Sequence, residues 1–289
     1  NSRRINFTHN RLVVIGKKAA EHGIGPLLDL MMRDAEPRPT QHIMVTPGEA
    51  VDILKVKPLL EKVTALEIEK YLFNYGASSK VYPVILQDVI ETLLSKTTAV
   101  TVPIIRVDKS QKPETLVLGG QAVFDDDQWM GDLNPKEVRG FLWIINKVRS
   151  GVILLSTLDG GKVSMEIVRT SGKMEPEITA KGLKMKVKVT MDLNLGSLMT
   201  EEKSLVSLAG LDKLAKQAEG YVKNEIKLAV KRAQQLKKDI FGFGGAVHRK
   251  YPREWREMEP VWNEMFSDLD VEIKVKAKVR LIGKINKPI

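Results

Sequence analysis

The C-terminal part of the chain contains the pattern that most restricts its fold, a long amphipathic helix followed by a glycine-rich break. Between Leu205 and Ile240, apolar residues recur every three or four positions, which places one apolar stripe along a single helix. Gly242, Gly244 and Gly245 then interrupt the pattern and predict the end of this helix. The stripe consists of Leu205, Leu208, Leu211, Ala215, Ala218, Val222, Ile226, Ala229, Ala233, Leu236 and Ile240.

A second helix and a strand follow the break. Pro252 suits the first turn of a helix whose apolar side includes Trp255 and Trp262. Residues 271–281 then alternate apolar and charged side chains, with the period of a half-buried strand. Because each of these elements has one apolar side, they must pack together, and we predict helices that cover one face of a sheet.

Three further segments, which precede the long helix, have the character of strands. They are residues 152–156, 163–170 and 183–193, separated by turns at 159–161 and around Pro176. Together with the terminal strand they predict an antiparallel four-stranded sheet covered by helices on one face. The predicted fold class is therefore α+β, in a multi-domain mixed α/β chain.

The N-terminal half alternates short strands with helices, as a mixed α/β layer does. Residues 98–107 are β-branched and apolar, but Pro103 removes one backbone donor, which indicates an edge strand or a bulge. A hairpin at residues 114–133 and a helix that starts at Asn134 follow. The earlier predicted strands are 11–15 and 42–45, and the predicted helices are 17–22, 24–33, 48–54, 58–71 and 84–94.

These changes of pattern predict three domains. We place an N-terminal mixed α/β domain at residues 1–97, a middle hairpin-and-helix domain at 98–150, and a sheet-plus-helices domain at 151–289. The chain starts at Asn1 without an initiator Met. We therefore expect a processed or recombinant fragment from which the N-terminal segment, including any export signal, has been removed.

The composition excludes several functional classes. The chain has no cysteine, which removes disulfides, thiolate nucleophiles and Cys-ligated zinc together. Its four histidines are scattered at positions 9, 22, 42 and 248 without HExxH spacing, and no nucleophile elbow is present. We therefore predict a protein that is not an enzyme and holds no cofactor and no metal.

A run of three aspartates could suggest a calcium site. An EF-hand loop that began at Asp125 would need a Glu at its twelfth position, where Lys136 stands. We therefore interpret Asp125, Asp126 and Asp127 as a solvated hairpin turn.

The net charge of +10 favours an anionic partner, such as a phospholipid surface or a nucleic acid. Residues 184–289 contain 22 Lys and Arg against 14 Asp and Glu, so +8 of the charge lies there. Since these basic residues alternate along strands or lie on the outer side of the long helix, a solvated face is the simpler explanation.

Aromatic and basic residues are interleaved in the segment 241–262, which raises the alternative hypothesis of an RNA-binding module. The same rings would equally fill the core between the helices, with Lys and Arg stems around them. We favour the core interpretation and expect His248 and Tyr251 to stay exposed. The residues concerned are Phe241, Phe243, Arg249, Lys250, Tyr251, Arg253, Trp255, Arg256 and Trp262.

Three passages of the chain are long and distinctive. They are HNRLVVIGKKAAEHGIGPLLDLMMRD at 9–34, GGQAVFDDDQWMGDLNPKEVRGFLWIINKVRSGVI at 119–153, and DIFGFGGAVHRKYPREW at 239–255 with the closing RLIGKINKPI. Together they resemble the C-subunit lipoproteins of spore nutrient germinant receptors, the GerAC or Ger(x)C family. The similarity covers nearly the whole chain.

The resemblance implies a non-enzymatic lipoprotein, acylated with palmitate on a Cys and displayed on the outer face of the spore inner membrane. It would act with two integral-membrane partners, the A and B subunits, when nutrients trigger germination. The family's members have three domains of unusual fold. The lipidation Cys and the family's first β-rich segment are absent from this chain, so we expect the first domain to be truncated at its start.

The resemblance supplies no catalytic residues, and the function it implies is recognition. We single out His248, Arg249, Lys250 and Tyr251 as a possible partner surface. The lysine-rich surface of residues 184–289 would help a tethered protein to lie near anionic headgroups, each basic residue contributing up to roughly 1 kcal/mol. Nucleic acid is not a partner in this interpretation.

Overall fold

The computed structural model describes residues 8–34, 36–110, 112–157, 159–180, 182–199, 205 and 207–280. Within those residues the chain forms two β-sheets, each packed against helices. The mixed α/β fold class that the sequence predicts is confirmed.

The first sheet occupies the N-terminal half. Its strands are β1 (Leu12–Gly16), β2 (His42–Thr46), β3 (Val84–Ile85), β4 (Thr101–Asp108), β5 (Thr115–Asp125) and β6 (Gln128–Leu133). Five strands run in the order β1-β2-β4-β5-β6, and β3 pairs with β2. The β1–β2 and β2–β4 pairs are parallel, whereas the β4–β5 and β5–β6 pairs are antiparallel. The hairpin predicted at 114–133 is therefore present and extends this sheet.

Of the two outcomes predicted for Pro103 in β4, an edge strand or a bulge, the structure shows the bulge. The register between β4 and β5 shifts between Pro103 and Ile105, which is a bulge. The strand is not at an edge, since β2 and β5 lie on its two sides.

The division of the chain into three domains, with boundaries near residues 97 and 150, stays a prediction.

Before the second sheet begins, the described residues form seven helices. They are α1 (Lys17–His22), α2 (Gly25–Arg33), α3 (Ala50–Lys55), α4 (Thr64–Phe73), α5 (Tyr75–Ser78), α6 (Leu86–Leu93) and α7 (Pro135–Ile144). The predicted capping box of α7 is confirmed: the Asn134 side chain accepts from the N–H of Glu137, whose carboxylate accepts from the N–H of Asn134. The prediction of helix over 58–63 is wrong, because α4 begins only at Thr64 and an irregular loop precedes it.

The second sheet has four strands, as predicted. They are β7 (Val152–Ser156), β8 (Lys162–Thr179), β9 (Gly182–Met199) and β10 (Asp270–Arg280), in the order β10-β9-β8-β7. The first three are antiparallel, but β10 runs parallel to β9, with Asp270 opposite Lys184 and Arg280 opposite Asn194. The expectation of an entirely antiparallel sheet is therefore wrong for this pair. The helices between β9 and β10 form a crossover over one face, which returns the chain in the same direction.

The hairpin of β8 and β9 is longer than predicted, and the expected turn around Pro176 is wrong. Pro176 lies within β8, opposite Met185. Its missing donor is tolerated there because β7 pairs only with Lys162–Glu166, which leaves the other side of β8 without a strand partner at Pro176.

Four helices and a short 3-10 turn (Glu259–Val261) cover one face of this sheet. The helices are α8 (Leu208–Gln235), α9 (Phe243–Lys250), α10 (Pro252–Met258) and α11 (Trp262–Ser267). The predicted stripe is largely buried along α8, from Leu211 to Ala233. At the start of α8, Leu208 is exposed. Leu205 before the helix and Ile240 in the loop after it are buried. Leu281 and most of the closing RLIGKINKPI lie outside the described residues.

Helices α7 and α8 cross at very short range. A Cβ at Gly140 would lie 2.1 Å from the Glu225 carbonyl oxygen, so only glycine fits at this crossing. Beside it the buried Glu225 carboxylate accepts from Arg139 Nε at 2.8 Å and from Trp143 Nε1 at 3.2 Å. Arg139 Nη2 also donates to the Tyr221 hydroxyl at 2.8 Å. This network fixes the rotation of α7 on the helix layer.

We predict that Gly140→Ala lowers the free energy of unfolding by about 2–3 kcal/mol, because the added methyl group must push two packed backbones apart. Gly220→Ala is the matched control, since nothing lies within 4 Å of a Cβ at this position on α8. It should stabilise the protein by about 0.5–1 kcal/mol through helix propensity. Urea unfolding of both variants measures this, and equal effects would contradict the close crossing.

Candidate partner-binding surface

The aromatic residues between α8 and α11 form a buried cluster. Phe241, Phe243, Trp255 and Trp262 are all nearly inaccessible to solvent. The ring centroids of Phe241 and Phe243 are 5.0 Å apart, and those of Trp255 and Trp262 are 5.1 Å apart in an edge-on arrangement. The core interpretation is confirmed. The RNA-binding alternative is not supported, because these four rings are not free to stack on bases.

Asp239 holds the glycine-rich break in place. Its buried carboxylate accepts hydrogen bonds from the backbone N–H groups of Phe241 and Gly242 at 3.0 Å each, and of Gly244 at 2.7 Å. Trp262 Nε1 donates to the same carboxylate at 3.2 Å. The side chain thus satisfies N–H groups at the start of α9, which have no partner within the helix. The sequence signal for this role is an Asp shortly before a helix start, and the role is not among the predictions made from the sequence.

Glycine is required at two positions of the break for different steric reasons. Gly242 has φ +75°, in the left-handed region that favours glycine. A Cβ at Gly244 would lie 2.9 Å from both Trp255 Cη2 and Trp262 Nε1, so α9 could not pack on the tryptophans with a larger residue. The glycines of the break are therefore required by its backbone conformation and by its packing on the tryptophans.

The four residues singled out as a partner surface lie together at the C-terminal end of α9. His248, Arg249 and Lys250 are exposed, as expected for His248, whereas Tyr251 is only half-exposed. The His248 ring stacks on Trp255, with centroids 5.9 Å apart. The cluster is thus supported from below by the aromatic core.

The two basic residues of this surface differ in their contacts. Lys250 Nζ donates to Glu175 Oε1 at 3.1 Å and to the Pro176 carbonyl at 2.9 Å, which ties α9 to β8. Within the described part of the chain, Arg249 has no hydrogen-bond or ion-pair partner. Arg249 is therefore the charge most available to a partner, and the role of the surface stays a prediction.

A polar cleft of about 440 Å³ runs beside this surface, between α6 and the glycine-rich break. Thr97 and Thr98 line one wall, and Gly242, Gly245 and Arg249 line the other. The two walls are joined next to the cleft, where the N–H of Ala99 donates to the Asp239 carbonyl at 2.8 Å. The cleft could not be predicted from the sequence, because the residues that meet here are far apart in the chain.

Several lysines on the outer face of the second sheet are paired, whereas Lys276 and Lys278 on β10 have no ion-pair partner among the described residues. Lys184 Nζ lies 3.2 Å from Glu272 Oε2, and Lys186 Nζ lies 2.6 Å from Glu177 Oε2. Such cross-strand pairs offset much of the positive charge on which the predicted headgroup contact of residues 184–289 depends. They agree with the simpler interpretation of a solvated face.

The aspartate triplet has structural roles. Asp127 accepts from the N–H of Gly25 at 3.1 Å, and its carbonyl accepts from Ile24, at the start of α2. Asp125 forms an ion pair with Lys238, and Asp126 takes the turn between β5 and β6 with φ +48°. The predicted hairpin turn is confirmed.

No helix of the described residues is long and apolar enough to cross a bilayer.

Two family models match the chain. The model described as "Spore germination B3/ GerAC like, C-terminal" matches residues 119–283, and "Spore germination protein N-terminal domain" matches residues 1–107. Together they span both sheets.

Named relatives extend this finding. Spore germination protein KC of Bacillus subtilis (strain 168) is 29% identical over 315 residues, covering 100% of this chain and 75% of the relative. Spore germination protein A3 of the same organism is 23% identical, over 95% of this chain and 74% of its own. The crystal structure of the GerBC protein superimposes with a TM-score of 0.73 over 96% of this chain and 81% of that chain. At 16% identity, that likeness shows the fold.

We predict a pH dependence of stability from Asp239. Burial raises the pKa of Asp239 to about 6, against the opposing effect of its backbone and Trp262 donors. Because the folded pKa is raised, the stabilising contribution is complete below about pH 4 and is lost as the pH rises through about 6. Between pH 4 and pH 7 the stability advantage of the wild type over Asp239→Asn should therefore fall by about 3 kcal/mol.

Urea unfolding at several pH values measures this difference. Glu264→Gln on α11 is the control, since Glu264 is exposed and its removal should leave the pH profile of the wild type unchanged. A constant difference between wild type and Asp239→Asn over this range would contradict the raised pKa.

Proposed function

Since the chain belongs to the GerAC family of spore germination proteins, we propose that it is the C subunit of a spore nutrient germinant receptor. In this role it assembles with the integral-membrane A and B subunits. It acts by recognition and assembly, without catalysis, when nutrients trigger germination. The observation that carries the proposal is the family match over residues 119–283, which the match over residues 1–107 complements.

The buried acids of the chain support a role without catalysis. Catalytic acids and bases are commonly buried groups with perturbed pKa values in a cleft. In the described residues, Glu67, Glu225 and Asp239 are the buried carboxylates, and each accepts several structural hydrogen bonds. The hydrogen bonds of these acids fix loops and helices, which agrees with a protein that acts by binding its partners.

The family passages support the same conclusion. The passage at 239–255 builds the glycine-rich break and the aromatic core, and the passage at 119–153 contains Gly140 at the α7–α8 crossing. These residues preserve an architecture. The surface that this architecture presents at His248 and Arg249 is our candidate for contact with the membrane subunits.

We predict that His248→Ala with Arg249→Glu weakens assembly with the A and B subunits about tenfold, the effect of losing about 1.4 kcal/mol of binding free energy. Affinity isolation of the full-length protein from detergent-solubilised spore membranes, followed by quantification of both subunits, measures this. Arg253→Glu on α10 is the control, since Arg253 is exposed on a neighbouring helix. If neither membrane subunit co-isolates with the wild type, the proposed function is wrong.

We propose further that the full-length protein is anchored by a lipid on a Cys upstream of this chain, on the outer face of the spore inner membrane. Growth with an alkyne analogue of palmitate should label the full-length wild type. Replacement of the upstream Cys by Ala should abolish the label and release the protein from the membrane fraction. A gene without such a Cys, or a protein that stays unlabelled, would contradict the lipid anchor.

A further inference from the structure

The loop between α3 and α4 exposes a concentration of large apolar side chains. Leu60 is 83% exposed and Leu59 is 55% exposed, at the tip of this loop. Exposed apolar residues that occur singly are ordinary, whereas a group of them marks an interaction site. The exposed apolar residues on the loop and its two helices are Val51, Leu54, Leu59, Leu60, Val63, Leu66 and Phe73.

A buried carboxylate holds the loop in this conformation. Glu67 on α4 is 4% exposed, and it accepts from the N–H of Leu60 at 2.8 Å and from the Tyr71 hydroxyl at 2.7 Å. Thr64 Oγ1 adds a hydrogen bond to the Val56 carbonyl at 2.9 Å. Burial pushes the pKa of Glu67 upwards, but hydrogen bonds from Leu60 and its neighbours outweigh burial and lower it. The loop is therefore fixed with its leucines outward.

The exposed leucines are not part of an incomplete core. The inner sides of α3 and α4 are already packed, with Ile53, Ile68 and Leu72 buried against Met44 and Ile105 of the first sheet. The outward leucines are thus additional to the apolar residues that the fold requires.

Two lysines flank the loop tip, and they differ from their neighbours in having no acidic partner in the part of the chain that the structure describes. Lys55 pairs with Asp52, and Lys70 pairs with Glu61. Lys57 and Lys62, on either side of the two leucines, have no ion-pair partner in the described residues. An apolar tip between two unpaired cations matches the layers of a bilayer interface, where anionic headgroups lie above the acyl boundary.

We propose that this loop is a membrane contact, in which Leu59 and Leu60 insert into the interface of an anionic phospholipid bilayer while Lys57 and Lys62 bind headgroup phosphates. Binding to anionic vesicles is expected from the loop alone, whereas the contact of the loop with the spore membrane rests on the proposed function. Arg11, just before β1, forms an ion pair with Glu69 on α4 at 2.9 Å. The chain at Arg11 therefore lies beside α4, the helix that follows the loop.

The test uses the chain of residues 1–289, without a lipid anchor, and flotation with vesicles. The wild type should float with vesicles of phosphatidylglycerol and phosphatidylcholine and much less with phosphatidylcholine alone. Leu59→Ser with Leu60→Ser should lower the bound fraction at least tenfold. Lys57→Gln with Lys62→Gln should lower binding to the anionic vesicles and reduce its sensitivity to salt.

The control is Leu94→Ser with Leu208→Ser, which removes two leucines that are 80% and 85% exposed elsewhere on the molecule. It should float like the wild type. Thermal unfolding by circular dichroism establishes that each variant is folded. A separate Leu60→Trp variant reports insertion directly, since its fluorescence should shift to the blue and be quenched by brominated phosphatidylglycerol.

Either of two results would overturn the proposal: the wild type fails to bind anionic vesicles, or the variant with Leu59→Ser and Leu60→Ser binds them as well as the wild type. If that variant keeps its vesicle binding but loses co-isolation with the membrane subunits, the loop is a protein contact. None of these results contradicts the proposed function, which fails only if the full-length wild type does not co-isolate with the membrane subunits.

Discussion

The C-terminal architecture depends on the carboxylate of Asp239. By accepting from Gly242, Gly244 and Trp262, this one group sets how the chain leaves α8, where α9 begins and where α11 lies. Its carbonyl accepts from Ala99, so the same residue also joins the N-terminal half to the C-terminal half. A buried carboxylate that loses a donor is less well solvated, which costs free energy. The four donors therefore favour the observed conformation of the break.

Two other buried carboxylates act in the same way at different places. Glu225 joins α8 to α7 through Arg139 and Trp143, and Glu67 fixes the loop that carries Leu60. Each acid holds a close crossing or an irregular segment that apolar packing alone would leave underdetermined. A protein organised in this way presents fixed surfaces, which agrees with the proposed role in recognition and assembly.

The surfaces themselves differ in what they offer a partner. The outer face of the second sheet carries many lysines, but pairs such as Lys186 with Glu177 offset them. The end of α9 retains Arg249 without a partner among the described residues, and the α3–α4 loop combines exposed leucines with unpaired lysines. The net charge of +10 already counts the acidic partners of these lysines, so its size alone does not say where a partner would bind. Its distribution decides where binding is favourable.

The sequence by itself determined the helices and strands that have strong periodicity, the capping box at Asn134 and the break before α9, because these depend on neighbours along the chain. It also placed Trp255 in the core. Only the tertiary structure decided the parallel pairing of β10, the continuation of β8 through Pro176 and the exposure of Leu60. Alternation has the same period in parallel and antiparallel strands. Whether a leucine is buried or presented depends on contacts such as that with Glu67, which form only when the chain is folded.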